Sequence, residues 1–186
     1  MTVSSIIPIR RYPDLRAMLR LIKPITWFPP IWAFLCGAVS SGVALGANWQ
    51  TVLLGMVLAG PVVCGMSQAA NDWCDRHVDA VNEPDRPIPS GRIPGRWGFG
   101  ATLVGVIAAW AYSAEPVRLK RSGWWGPGLV GLSYEGLPWF TGAAVLLNAA
   151  PRFEVIVMAA LYAFGAHGIM TLNDFKALEG DRQHGV

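Results

Sequence analysis

Five long apolar runs, at about 25–45, 52–70, 98–114, 126–147 and 155–172, constrain this chain more than any other feature of it. A helix needs roughly 20 apolar residues to cross the hydrocarbon core of a bilayer, and most of the runs approach that length. A soluble domain of 186 residues rarely carries so many long runs with so few charges; here 53% of residues are hydrophobic, 15% are charged and mean hydropathy is +0.37. Nine tryptophans cluster near the run ends, where an amphipathic ring suits the membrane interface. The pattern predicts an all-α fold: a polytopic transmembrane helical bundle forming a single membrane-embedded domain over residues 1–186, with no linker, low-complexity tract or soluble appendage. The first 23 residues are basic but lack the apolar core of a signal peptide, so the N-terminus is expected in the cytoplasm.

A net charge of +3 and a pI near 9.0 raise the question of nucleic acid, but the cations are distributed by loop rather than gathered on one face. Arg10, Arg11, Arg16, Arg20 and Lys23 precede the first run; Arg76, Arg86, Arg92 and Arg96 follow the second; Arg118, Lys120 and Arg121 follow the third. The connection from Gly46 to Thr51 carries none. This is the positive-inside pattern of a multi-pass membrane protein, not a nucleic-acid surface. Cys36 and Cys64 sit inside apolar runs and Cys74 inside a polar motif, so neither a disulfide framework nor paired zinc spacing is expected.

That motif closes the second run and reads Asn71-Asp72-Trp73-Cys74-Asp75-Arg76-His77-Val78-Asp79. Its carboxylates at i, i+3 and i+7 share one face of a helix. Charges gathered beside a bilayer are costly unless they hold something positive, and oxygen donors without Cys or His pairs suit Mg²⁺. Magnesium on clustered aspartates points in turn to a bound diphosphate. A second Asn-Asp pair, Asn173-Asp174, closes the last run, with Asp181 seven residues on. Two such pairs place two helix ends across one cavity, each giving part of a metal site: Asp72, Asp75 and Asp79 from the first, Asp174 and Asp181 from the second, with Asn71 beside them.

The loop Val81-Asn82-Glu83-Pro84-Asp85-Arg86-Pro87-Ile88-Pro89-Ser90-Gly91-Arg92 is too rich in proline to continue a helix and is expected to fold over the acids. Arg86 and Arg92 are candidates for bidentate contact with phosphate oxygens, as are Arg118, Lys120 and Arg121 after Tyr112. Glu135 and His167 are ionisable residues inside apolar runs, with substrate contact and helix packing both open for each.

These residues resemble the UbiA superfamily of intramembrane prenyltransferases, through nearly the whole chain. Besides the two acidic motifs and the segment from Tyr112 to Arg121, the resemblance is carried by Leu21-Ile22-Lys23-Pro24-Ile25-Thr26-Trp27, by Asn82-Glu83-Pro84 through Gly91, by Ser122-Gly123-Trp124-Trp125 and by Asn173-Asp174-Phe175-Lys176. Within the superfamily it is similar to the chlorophyll and bacteriochlorophyll synthases, and Cys74, Arg76 and His77 to their branch in purple bacteria. The resemblance implies a Mg²⁺-dependent transfer of a prenyl group, geranylgeranyl or phytyl, from its diphosphate to the propionate of a chlorophyllide or bacteriochlorophyllide. A carboxylate acceptor is already deprotonated at neutral pH and needs no general base. Asn71, Asp72, Asp75 and Asp79 match the first family motif, and Asp174 and Asp181 the second, with Arg86, Arg92, Tyr112, Arg118 and Lys120 as the diphosphate-binding set. It further implies cytoplasmic acidic motifs and a setting among pigment-synthesis or light-harvesting partners. The alternatives are a UbiA-type enzyme acting on a quinone precursor or haem, and a non-catalytic pigment-carrying membrane protein.

The sequence departs from the family pattern at three places. Ala177 stands where many members have a carboxylate, so the second metal site is expected either to be weaker or to use Glu179. A single apolar run separates two loops that both carry cytoplasmic-type charge, so a helix near Gly98 is expected to be missing, or 98–114 to re-enter without crossing. The chain also stops just past the second motif, where the family continues through further helices, and so reads as a fragment.

Overall fold

The computed structural model describes residues 15–93 and 124–174. Tyr112, Arg118, Lys120, Arg121, Glu179, Asp181 and the run at 98–114 lie outside the described residues, as do the side chains of Asn173 and Asp174. Every regular element among the described residues is helical, as expected for a chain whose backbone polar groups must find partners within its own segments.

The first span is broken at Lys23. Helix α1, Leu15–Ile22, buries Ala17 and Leu21 and leaves its arginines outward. Pro24 disfavours helical geometry in the residue before it, and Lys23 takes φ 42°, a left-handed conformation unusual for a side-chain-bearing residue. One 3₁₀ turn, Pro24–Trp27, leads into α2, Phe28–Ser40, whose prolines stand in its first turn where no N–H is needed.

The second span, α3 Trp49–Val57 and α4 Gly65–Cys74, is joined by a π-helical stretch, Leu58–Cys64, that contains Pro61. After α5, Arg76–Asn82, and the loop to Ile93, the description resumes with α6, Trp125–Gly131, a π turn Leu132–Gly136, and α7, Leu137–Leu147. Asn148 stops this helix at φ 51°, and α8, Phe153–Asp174, returns. Leu15–Ser40, Gly46–Cys74 and Phe153–Leu172 are long and apolar enough to cross a membrane. Leu54, Leu161 and Phe164 are more than half exposed on these helices, which suits lipid rather than water.

Small residues set the packing. A Cβ on Gly37 would lie 1.9 Å from the Trp139 carbonyl oxygen, and one on Gly142 2.2 Å from that of Phe34, so α2 and α7 touch backbone to backbone. Gly131 meets the Ala163 carbonyl of α8 in the same way.

These contacts also fix direction. Tyr134 meets Ser67 near the Lys23 end of the first span, while Gly142 meets Phe34 farther along, so Trp125–Leu147 runs parallel to the first span. Helix α8 runs back against it, Gly131 facing Ala163 and Gly136 facing Ala159. Lys23, Asp72, Trp124 and the Asp174 end of α8 therefore share one end of the bundle. The helix pair from Trp125 to Asp174 thus brings the second Asn-Asp pair back to the end that carries the first.

Candidate active site

Asp72 is fully buried on the last turn of α4. Its Oδ1 accepts from Lys23 Nζ at 3.1 Å and from Arg86 Nη1 at 3.1 Å, while its Oδ2 has no partner among the described residues. The same Arg86 Nη1 donates to Asp79 Oδ2 at 2.8 Å. The acids expected on one helical face are carried by a kinked pair of helices: Asp75, at φ −90° and ψ 3°, separates α4 from α5, and the i→i−4 bonds Asp75 N–Asn71 O and Asp79 N–Asp75 O carry the chain through the bend. Asp72 and Asp79 converge on Arg86, and Asp75 is half-buried beside them.

The proline-rich loop does fold over the acids, and two isoleucines are the reason. Ile88 and Ile93 are buried in a cluster with Ala17 and Leu21 of α1 and Ala69 of α4, with Trp73 packed against it. Turns hold the segment between them: Ser90 N–Arg86 O and Gly91 N–Ile88 O are each 3.0 Å, and Gly91 takes φ 73°, which a glycine adopts without steric cost. Arg86 is aimed inward by this frame and is also held by Glu83. Arg92 is turned to the loop itself, donating to Ser90 Oγ and to the Asp85 carbonyl.

The electrostatics follow. Burial pushes the Asp79 carboxyl up to about 6; Arg86 opposes that shift, and the charges of Asp72 and Asp75 add to it. The hydrogen bond from Arg86 holds the exposed Glu83 carboxyl below its ordinary value. Burial works against the Arg86 charge, but Glu83, Asp72 and Asp79 together outweigh it and raise its pKa.

Lys23, placed by the sequence among the topology determinants and in a stretch that carries the family resemblance, is brought to the buried Asp72 carboxylate. Its delivery to Asp72 depends on the break before Pro24, held by Thr26 Oγ1 bonding the Lys23 carbonyl at 2.8 Å and Trp27 Nε1 bonding the Ile22 carbonyl at 2.8 Å. Left-handed backbone at such a residue costs about 1–3 kcal/mol and persists where the surroundings impose it. The available signal was the last cation before the first apolar run, placed directly before a proline.

Glu135 and His167 are buried elsewhere, in the helical interior. Glu135 lies on the π turn and His167 on α8 with the Trp124 ring edge-on at 4.5 Å, and Glu135 Oε2 and His167 Nε2 have no partner among the described residues. The structure puts both in the seams between helices, with the His167 backbone against Gly131. Tyr134 ties that interior to the site, its hydroxyl meeting Ser67, one turn before Asn71.

Among the described residues no three His, Cys, Asp or Glu side chains close on a point that would hold a metal. The donor chemistry nevertheless fits a hard divalent cation, because the carboxylates supply oxygen alone and Asp72 keeps a buried oxygen with no partner among the described residues. Cys36, Cys64 and Cys74 form no disulfide among the described residues.

Residues 26–103 match the UbiA prenyltransferase family. The 33 kDa chain of bacteriochlorophyll synthase from Cereibacter sphaeroides is 69% identical over 208 aligned positions, covering 100% of this chain and 69% of that protein. Its counterpart from Rhodobacter capsulatus is 65% identical, covering 100% of this chain and 70% of that protein. Chlorophyll synthase of Avena sativa is 38% identical over 90% of this chain and 52% of its own length. A solved structure described as a digeranylgeranylglyceryl phosphate synthase in membranes superposes with TM-score 0.68 at 20% identity, covering 92% of this chain and 66% of that one, a likeness of fold.

Proposed function

The chain belongs to the UbiA prenyltransferase family, and we propose that it is a bacteriochlorophyll synthase, which esterifies the propionate of a bacteriochlorophyllide or chlorophyllide with geranylgeranyl or phytyl diphosphate. The observation that carries this reading is Asp72, a fully buried carboxylate with one oxygen paired to two cations and the other without a partner among the described residues. The names of the relatives supply the acceptor, at 69% and 65% identity over the whole chain.

In this reading Asp72 and Asp79 hold Mg²⁺, with Asp75 and, from the second motif, Asp174 and Asp181 completing the set and Asn71 beside them. When bound, the metal neutralises the departing diphosphate. Arg86, aimed inward by its loop, and Lys23 supply further positive charge where that leaving group develops its own. Arg92, Tyr112, Arg118 and Lys120 extend the cationic surface. No general base is assigned, because a propionate is ionised at neutral pH. The membrane is the bacterial inner membrane, with the shared end of the bundle facing the cytoplasm, as the loop charges indicate.

A spanning helix present in the relatives is proposed to be missing near Gly98. Two findings support this: the flanks Ile93 and Trp124 lie at one end of the bundle, and an alignment of 208 positions to a chain of 186 residues leaves unmatched positions in the relative that add up to roughly the ~20 residues of one spanning helix.

The test is an acceptor panel. Membranes containing the protein, extended to the full length of its relatives, receive geranylgeranyl diphosphate, Mg²⁺ and bacteriochlorophyllide, a quinone precursor or haem in turn. Lipophilic pigment ester from bacteriochlorophyllide alone is the expected result. Product from the quinone precursor or haem instead would move the protein to another branch of the family, and no product from any would favour a pigment carrier.

A further inference from the structure

The two oxygens of Asp72 are used unequally. Oδ1 takes both Lys23 Nζ and Arg86 Nη1 at 3.1 Å, and the buried Oδ2 has no partner among the described residues. Arg86 also pairs with Asp79 at 2.8 Å and with Glu83, so Lys23 and Arg86 are the two cations already seated among the acids, with Asp75 half-buried beside them. Lys23 is no free surface lysine: its backbone is fixed at φ 42°, and its carbonyl is held by both Thr26 N and Thr26 Oγ1. Its side chain nevertheless keeps 27% exposure, a path along which the ammonium can leave while the backbone stays.

We infer that Lys23 is a resident counter-ion, holding Asp72 until a divalent cation and a diphosphate arrive together and then passing from the carboxylate to a phosphate oxygen. This rests on the reading of the site as a diphosphate site. A divalent cation arriving alone meets two resident positive charges and offers Lys23 no new partner. A diphosphate arriving with the cation gives the ammonium an acceptor and brings negative charge that offsets the metal's. Lys23 thereby couples the two ligands, each raising affinity for the other, as linkage requires. Arg86 cannot take this role as readily, since the loop frame and its bonds to Glu83 and Asp79 hold it in place. No bond is made or broken in this exchange; one ion pair replaces another.

Equilibrium dialysis of the purified protein in lipid nanodiscs, with Mn²⁺ as probe and inorganic diphosphate present or absent, tests it without any turnover. Wild type is expected to bind Mn²⁺ at least about tenfold tighter with diphosphate, ~1.4 kcal/mol of coupling. Lys23→Met is expected to bind Mn²⁺ alone about tenfold tighter than wild type and to lose most of the diphosphate enhancement, while Lys23→Arg keeps the wild-type pattern. Lys23→Gln gives the same reading should the methionine variant fail to fold. Unchanged or weaker Mn²⁺ binding by folded Lys23→Met or Lys23→Gln, in a protein whose wild type shows the coupling, overturns the counter-ion role and leaves the proposed function standing. A wild type that binds no Mn²⁺ even with diphosphate overturns both.

Discussion

At the shared end of the bundle, Asp72 and Asp79 are buried against Lys23 and Arg86, each acid paired within 3.1 Å of a cation. In the interior, Glu135, Trp139 and His167 are each more than nine-tenths buried as well, yet Glu135 Oε2, Trp139 Nε1 and His167 Nε2 find no partner among the described residues. Burial alone therefore does not mark the site. What separates the regions is what the chain has done with each polar group: at the end it has bent a helix and pinned a loop to bring cations to the acids, and in the seam it has packed glycines and alanines around them. Ion pairs assembled from four separate chain positions are a device for binding charge, whereas an isolated polar atom in a seam is a local cost of packing.

The comparison breaks most visibly at Asp72. Asp72→Asn keeps the shape but removes the charge, and prenyl transfer is expected to fall on the order of 10²–10³-fold, the range for losing one electrostatic contributor to a transition state. Activity within about threefold of wild type would place the chemistry elsewhere.

Arg86→Met leaves two buried acids with one cation between them. A loss of about 2–4 kcal/mol in unfolding free energy is expected, the range for removing one partner of a buried pair. A denaturant midpoint unchanged from wild type would mean that the loop is held by Ile88 and Ile93 alone.

Asp79 sharpens the comparison through pH. Its carboxyl titrates near 6 in the fold, above its ordinary 3.8, so between these values the folded chain binds more protons than the unfolded chain and this group's stability contribution falls as pH rises through the window. Cation binding runs the other way, because the protonated acid is a poor ligand. Mn²⁺ affinity is expected to drop as pH falls through about 6, and this limb is expected to vanish in Asp79→Asn. A wild-type profile flat from pH 7 to about 5 would show that Asp79 is not a ligand.

The smallest effect is expected in the seam. Glu135→Gln keeps the volume, and transfer activity within about threefold and stability within ~1 kcal/mol of wild type are expected. A collapse of activity comparable to that of Asp72→Asn would erase the distinction between the regions.

Most of the fold was legible in the sequence, because lipid imposes length and apolarity on each span and the runs ending near residues 45, 70, 147 and 172 answer to helices at closely similar positions. Asp72 and Asp79 were legible from spacing, and Arg86 from the prolines that hold its loop. Lys23 was not, because its role depends on a backbone break that points a basic residue inward, and a charge at a run end reads equally well as a topology signal. The kink at Asp75 was hidden for a similar reason: periodicity reports which residues share a face, not where a helix bends. Ile88 and Ile93 read as loop residues until their contacts with α1 and α4 show them to be its anchors.

The most direct measurement is esterification of bacteriochlorophyllide by membranes containing the full-length protein, given geranylgeranyl diphosphate with Mg²⁺ and again with chelator. Lipophilic pigment formed with the metal and abolished by its removal is the result expected of a donor site built on Asp72 and Asp79. Product that forms equally well after chelation would contradict it.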